Sequence, residues 1–231
     1  MILFVNPRAT RPKNRRFPLS VMSVGAALPD HVSWEIVDGN KPGADPLAEI
    51  LAHVERRRGS ADPVRIVAFS VMPGPQLVNA VPLTRELRSR CPDVQIVWGG
   101  NFPSLYPAPV LSAPYVDWVV RGQGEHTFLE LLDVLDGARD PHDVAGLSFR
   151  ERDGSHHIGV ERRWVGPDEL PGRGDREQLG RGARDEHLVG APGANRRARG
   201  IKLQKPPRRV GVLRLRHDVR DRGGEGGVPC V

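Results

Sequence analysis

The chain has few of the residues that staple small secreted domains together. Its 231 residues include two cysteines, Cys91 and Cys230. That is too few for a disulfide framework and, by themselves, for a cysteine-held zinc or iron–sulfur site. No apolar run approaches the roughly 20 residues that span a bilayer. The opening "MILFVNPRAT" has no basic segment before its short apolar stretch, so it does not read as a signal peptide. These absences lead us to expect a cytoplasmic chain with no membrane segment. The phosphate-loop pattern GxxxxGK[ST] is missing, and no GxGxxG follows the first apolar run. Nucleotide-hydrolysing, nicotinamide and flavin readings lose support accordingly.

Aromatic residues are missing altogether from residues 172–231, which hold 15 Lys and Arg, 7 Asp and Glu, and 12 of the 26 glycines. Residues 1–171 carry 19 basic and 21 acidic side chains, so the formal net charge of +6 belongs to the tail. Two kinds of sequence meet near "DELPGRG" (Asp168 to Gly174). The tail has no sustained periodicity, and only "VGVLRLR" (Val210 to Arg216) resembles a strand. It reads as a basic arm for a polyanion, as a disordered linker, or as a shifted reading frame in a GC-rich gene. The last is favoured, with disorder as its physical outcome. Without aromatics to stack on bases, nucleic-acid binding is disfavoured.

What is present in residues 1–137 is an alternation of short apolar runs and helical periodicity. "ILFV", "SWEIVD", "VRIVAFSV", "VQIVWGG" and "VDWVVRG" are rich in Val and Ile and suit strands buried on both faces of a parallel sheet. "PLAEILAHVERRRG" puts Leu47, Ile50, Leu51 and Val54 on one helical face and stops at Gly59. "HTFLELLDVLDG" repeats the pattern with Phe128, Leu131, Leu132 and Leu135. "FPLSVMSVGAAL" is the expected first helix. In "PQLVNAVPLTRELRSRCP", Pro82 is expected to kink or shorten the helix. "PAPVLSAP" is too rich in proline for more than a turn or two.

The resulting order predicts an α/β fold with a doubly wound, five-stranded parallel sheet of flavodoxin-like or Rossmann-like form. A hairpin turning at Asp153-Gly154 is expected as a small antiparallel appendage. The expected division is an α/β domain over 1–140, the hairpin and linker over 141–171, and the tail over 172–231.

Ligands in such folds sit beyond the C-terminal strand ends. That edge carries Asn6-Pro7, Ser70-Val71-Met72-Pro73-Gly74, Gly99-Gly100-Asn101 and Gly122-Gln123-Gly124-Glu125, with Phe102 and Pro103 just beyond. Any one of these glycines alone reads as a turn residue. Together on one edge they leave bare backbone that favours a large, flat ligand. His156 and His157, adjacent on a strand, point to opposite faces and cannot share an ion, so they read as part of a solvated hairpin without metal. Asp38 could hold a ribose in a dinucleotide domain, but a turn role is preferred.

The pattern "ILFVNP…VDGN…FSVMPGPQ…IVWGGNFPSLYP…VDWVVRGQGEHTFLELL…GLSFRERDG…DELP" resembles the N-terminal cobalamin-binding region of the cobalamin-dependent radical S-adenosylmethionine proteins, over roughly residues 1–171. The resemblance implies a corrinoid site lined by Ser70-Val71-Met72, where a Ser-x-Leu is usual, and by Gly99-Gly100. It implies that Asn6, Pro7, Gly74, Asn101, Pro103, Gly122, Gly124 and Glu125 also face the cofactor. The family's DxHxxG element is replaced by "NPRATRPKN", so the resemblance implies a cobalt with water or no lower ligand in place of a histidine. The radical domain's CxxxCxxC is missing too. No iron–sulfur cluster and no catalytic residue are therefore expected in this chain. A truncated relative of a radical methyltransferase or similar enzyme is expected, with cobalamin as its ligand and a radical domain in trans as an expected partner. The rival reading is a non-catalytic interaction module that binds a protein or nucleic acid through the strand-end edge and the basic tail. A sugar- or nucleotide-using transferase finds no paired carboxylates to support it.

Overall fold

The structure is a computed structural model and describes residues 1–9, 17–166 and 169–171. The expectations for the tail lie outside the described residues.

Seven strands form one sheet in the order β2-β1-β3-β4-β5-β6-β7. The parallel part comprises β1 (Ile2–Asn6), β2 (Trp34–Asp38), β3 (Ile66–Ser70), β4 (Gln95–Gly99) and β5 (Trp118–Val120). β6 (Leu147–Arg150) pairs antiparallel with β5, and β7 (His156–Ile158) pairs antiparallel with β6. The predicted hairpin therefore continues the main sheet at its edge. Side chains alternate across the sheet as the pleat requires. Leu3, Val5, Val67, Phe69, Ile96 and Trp98 enter one core, and Ile2, Phe4, Ile66, Ala68 and Val97 enter the other.

The first core is covered by α2 (Pro46–Arg57), α3 (Pro75–Arg90) and two single-turn helices, α4 (Asn101–Leu105) and α5 (Pro107–Leu111). The second is covered by α1 (Leu19–Ala26) and α6 (Gly124–Leu135). The fold is thus the doubly wound, mostly parallel arrangement that the alternating pattern predicts. Local signals agree for α2. Asp45 caps it by accepting from Ala48 N at 3.1 Å, Pro46 occupies its first turn, and Arg56 and Arg57 its last. Pro82 does not shorten α3, which runs for 16 residues through it. One missing N–H is outweighed by the buried face that Ala80, Thr84 and Leu87 present to the core. Among the described residues no helix is long and apolar enough to cross a membrane.

Candidate functional site

A cavity of about 610 Å³ opens between the sheet and helices α1 and α6, at the C-terminal ends of β3, β4 and β5. That volume falls in the usual range for small-molecule sites. Its apolar wall is made by Phe4, Ala68, Val97, Val120, Val21, Val24 and Phe128. Phe4, Ala68 and Val97 are partners in register across three adjacent strands, and the small Ala68 between two larger neighbours leaves depth. Its rim is polar backbone and small side chains: Ser70, Gly99, Gly100, Gly122, Gln123, Gly124 and Glu125.

Ser70, Glu125 and Gly122 of this rim are fixed by specific contacts. The hydroxyls of Ser70 and Ser20 meet at 2.9 Å, joining the tip of β3 to α1. Ser23 donates to the buried Glu125 carboxylate at 2.6 Å, joining α1 to the first turn of α6. A carboxylate in that first turn also sits favourably against the helix N-terminus. Gly122, at φ +67°, donates its N–H to Ser104 Oγ at 2.8 Å. A Cβ on Gly99 would make only ordinary contacts, the nearest at 3.5 Å.

Of the residues predicted from the sequence, Ser70, Gly99, Gly100, Gly122, Gly124 and Glu125 come together around this cavity. The others stand elsewhere on the same edge. Asn6 donates to Asp38 at 2.8 Å and accepts from Gln76 at 2.7 Å, while Pro7 O accepts from Asn40 and Gln76. Val71 is fully buried in the opposite core. Met72 projects into solvent, with its N–H given to Gln76. Gly74 begins α3, Asn101 is the exposed first residue of α4, and Pro103 is buried within α4. Asp38 has the turn role expected of it, accepting from Asn6 and from both the backbone and side-chain nitrogens of Asn40.

Two sets of lining residues carried no signal in the sequence. Leu19, Ser20 and Ser23 belong to α1, whose weak amphipathicity gives no hint of a site. Trp164, Val165 and Leu170 come from the segment beyond β7. That segment is pinned across the strand tips by paired hydrogen bonds between Gln123 and Val165, at 2.9 and 3.2 Å, and by Arg162, which reaches Thr127 Oγ1 at 2.9 Å and Glu130.

The chain resembles several proteins of known character. It is 30% identical over 155 residues to the anaerobic magnesium-protoporphyrin IX monomethyl ester cyclase of Synechocystis sp., a match covering 64% of this chain and 30% of that protein. It is 34% identical over 70 residues to the cytidylyl-2-hydroxyethylphosphonate methyltransferase of Streptomyces wedmorensis, covering 30% of this chain and 13% of that one. Its fold matches OxsB, a cobalamin-dependent S-adenosylmethionine radical enzyme solved with aqua-cobalamin and S-adenosylmethionine bound. The TM-score is 0.59 at 19% identity, over 78% of this chain and 25% of OxsB. It also matches the radical S-adenosylmethionine methyltransferase TsrM from Kitasatospora setae, solved with cobalamin and a [4Fe-4S] cluster, with a TM-score of 0.56 at 21% identity, over 73% of this chain and 30% of TsrM. This chain thus spans less than a third of the length of each of these proteins. The B12 binding domain family matches residues 8–132. That span is more than half of the chain, and the protein belongs to the B12 binding domain family.

Proposed function

We propose that this chain binds cobalamin across the tips of β3, β4 and β5, and that it acts as the cofactor-holding part of a methyl-transferring radical system whose radical domain is supplied in trans. The observation that carries the reading is the cavity beside bare backbone at Gly99 and Gly122, while the missing side chain of Gly100 makes room for Val71. The residues fit the group. A corrinoid is a broad ring with a pendant aromatic base, and the site pairs a glycine-lined rim with an apolar recess deep enough for a bulky arm.

Ser70, Gly99, Gly100, Gly122, Gly124 and Glu125 would hold it, with Ser20, Ser23 and Trp164 from the neighbouring segments. Bound cobalamin supplies a cobalt able to accept and donate a methyl group. The residues of this chain bind and orient it. The Ser20–Ser70 and Ser23–Glu125 pairs fix the rim, and Phe4, Val97 and Phe128 keep water from the recess. No histidine stands between Met1 and Asp30, so the β1 loop offers the cobalt no imidazole. Phe17 and Leu19 after β1, Met72 after β3 and Trp164 after β7 are all more than half exposed and give a covering domain apolar surface to dock on.

The test is retention of hydroxocobalamin through gel filtration, read from its visible absorbance. The parent chain is expected to keep about one equivalent, and Gly99→Val, whose added methyls enter the recess, to keep none. Equal loss of colour from both proteins would overturn the reading.

A further inference from the structure

At the opposite end of the sheet, three side chains converge that have no part in the cavity. His142 lies in a 3-10 turn (Pro141–Asp143), Glu151 follows β6, and His157 is the middle residue of β7. β6 runs antiparallel to β5, with Leu147 beside Val120 and Phe149 beside Trp118, so Glu151 emerges at the N-terminal end of the parallel strands. One donor atom from each of the three lies within 4.8 Å of the other two.

The arrangement differs from the solvated hairpin expected for His156-His157. Those two neighbours do not converge on one point. Instead His157 stacks on Phe149 at 4.9 Å and meets His142 edge-on at 4.9 Å. Its Nε2 is closed off from solvent and has no hydrogen-bond partner among the described residues. An imidazole nitrogen left so is costly unless something coordinates or bonds it. His142 is oriented in the way metal-binding histidines are. Its Nδ1 is 2.7 Å from Asp140 Oδ1, which holds that nitrogen as the N–H donor, and its Nε2 is 2.8 Å from Glu151 Oε1.

We propose that His142, Glu151 and His157 bind a divalent zinc ion, with water in the fourth position and Asp140 orienting His142. Two imidazoles and one carboxylate are a recurrent zinc donor set, and imidazole disfavours magnesium and calcium. The ion takes the place of the proton shared by His142 Nε2 and Glu151 and releases it to solvent. A tetrahedral zinc needs donor separations of roughly 3.3 Å. A modest closing of His157, with the His142–Glu151 pair opening by a few tenths of an ångström from its 2.8 Å, meets that, because Glu151 and His157 belong to one edge hairpin and His142 to the turn beside it. Bound there, zinc ties the β6–β7 hairpin to the turn that follows α6.

The experiment uses the full 231-residue chain, treated with chelator and free of cobalamin, titrated with zinc chloride against a chromophoric competitor. The parent is expected to hold one zinc that is lost, or weakened at least ~10-fold, in His142→Ala, Glu151→Gln and His157→Ala, with Asp140→Asn weakened by about the same factor. His156→Ala keeps the ion. Zinc raises the melting temperature of the parent and of His156→Ala but not of the three ligand variants. Circular dichroism in chelator verifies that each variant is folded, and donors in residues 172–231 are common to all of them. Equal zinc affinity in the parent and the ligand variants overturns the proposal, as does an unchanged melting temperature in the parent.

Discussion

An ideal Cβ placed on Gly100 would stand 2.9 Å from both the N and the O of Val71. Gly100 also has φ +96°, and Val71 is engaged on both sides, its N–H given to Gly99 O at 2.7 Å and its carbonyl accepting from Phe102 N at 3.0 Å. The tip of β4 can lie against the tip of β3 only because this residue has no side chain. Gly100→Ala is expected to destabilise by roughly 1–3 kcal/mol from the backbone conformation alone, with the clash added. Gly99→Ala, with ordinary contacts, is expected to cost less than about 1 kcal/mol. Urea midpoints of the two variants measure the contrast, and equal midpoints would contradict it.

Ala68 sets the depth of the recess, between Phe4 and Val97 in register. Ala68→Leu is expected to fill it and to lower cobalamin retention at least tenfold, while the melting temperature stays close to that of the parent because the added methyls enter open space. Equilibrium dialysis beside a thermal melt separates the two effects. Unchanged retention would place the ligand away from the recess.

Glu125 is 8% exposed and accepts a 2.6 Å hydrogen bond from Ser23. Ser23→Ala leaves a buried carboxylate short of a donor, and a loss of about 1–3 kcal/mol is expected. Ser23→Thr restores the hydroxyl and is expected to recover most of it. Chemical denaturation of the two variants at neutral pH gives the comparison.

His53 is buried on α2, with Nδ1 2.9 Å from Arg56 and Nε2 3.5 Å from Glu35. Burial lowers its pKa from 6.5, and Arg56 adds to the lowering while Glu35 opposes it. The unfolded chain therefore takes up a proton below its ordinary value that the folded chain refuses. The contribution is complete above that pH and is lost as pH falls from there through the lowered folded value. Folding midpoints are expected to drop between pH 7.5 and 5, and His53→Gln is expected to flatten that slope. A parent profile with the same slope as the variant would rule out His53 as its source.

The strands and helices of the parallel part were legible because burial on both faces leaves a local mark, a Val/Ile run ending in a turn residue. The candidate site was legible only at the strand tips, where Ser70, Gly99, Gly122 and Gly124 interrupt apolar runs. Ser20, Ser23 and Trp164 left no mark, since they reach the cavity through pairings with Ser70, Glu125 and the segment held by Gln123, far away along the chain. His142 and His157 were opaque for the same reason: Phe149 and Glu151 come between them in sequence, and the rings meet only because the hairpin register sets His157 beside Phe149 and the turn after α6 lays His142 against both.

By itself, then, the sequence determined the alternation of strand and helix, the glycine-bearing edge, and the missing histidine and cysteines, because each is written in consecutive residues through steric and periodic constraints. Only the tertiary structure decided which of those edge residues surround one cavity, that Gly100 answers to Val71, and that three separated side chains meet at the far end of the sheet. Those outcomes depend on side-chain distances set by strand order and register, and contacts between residues distant in the chain have no local signature to read.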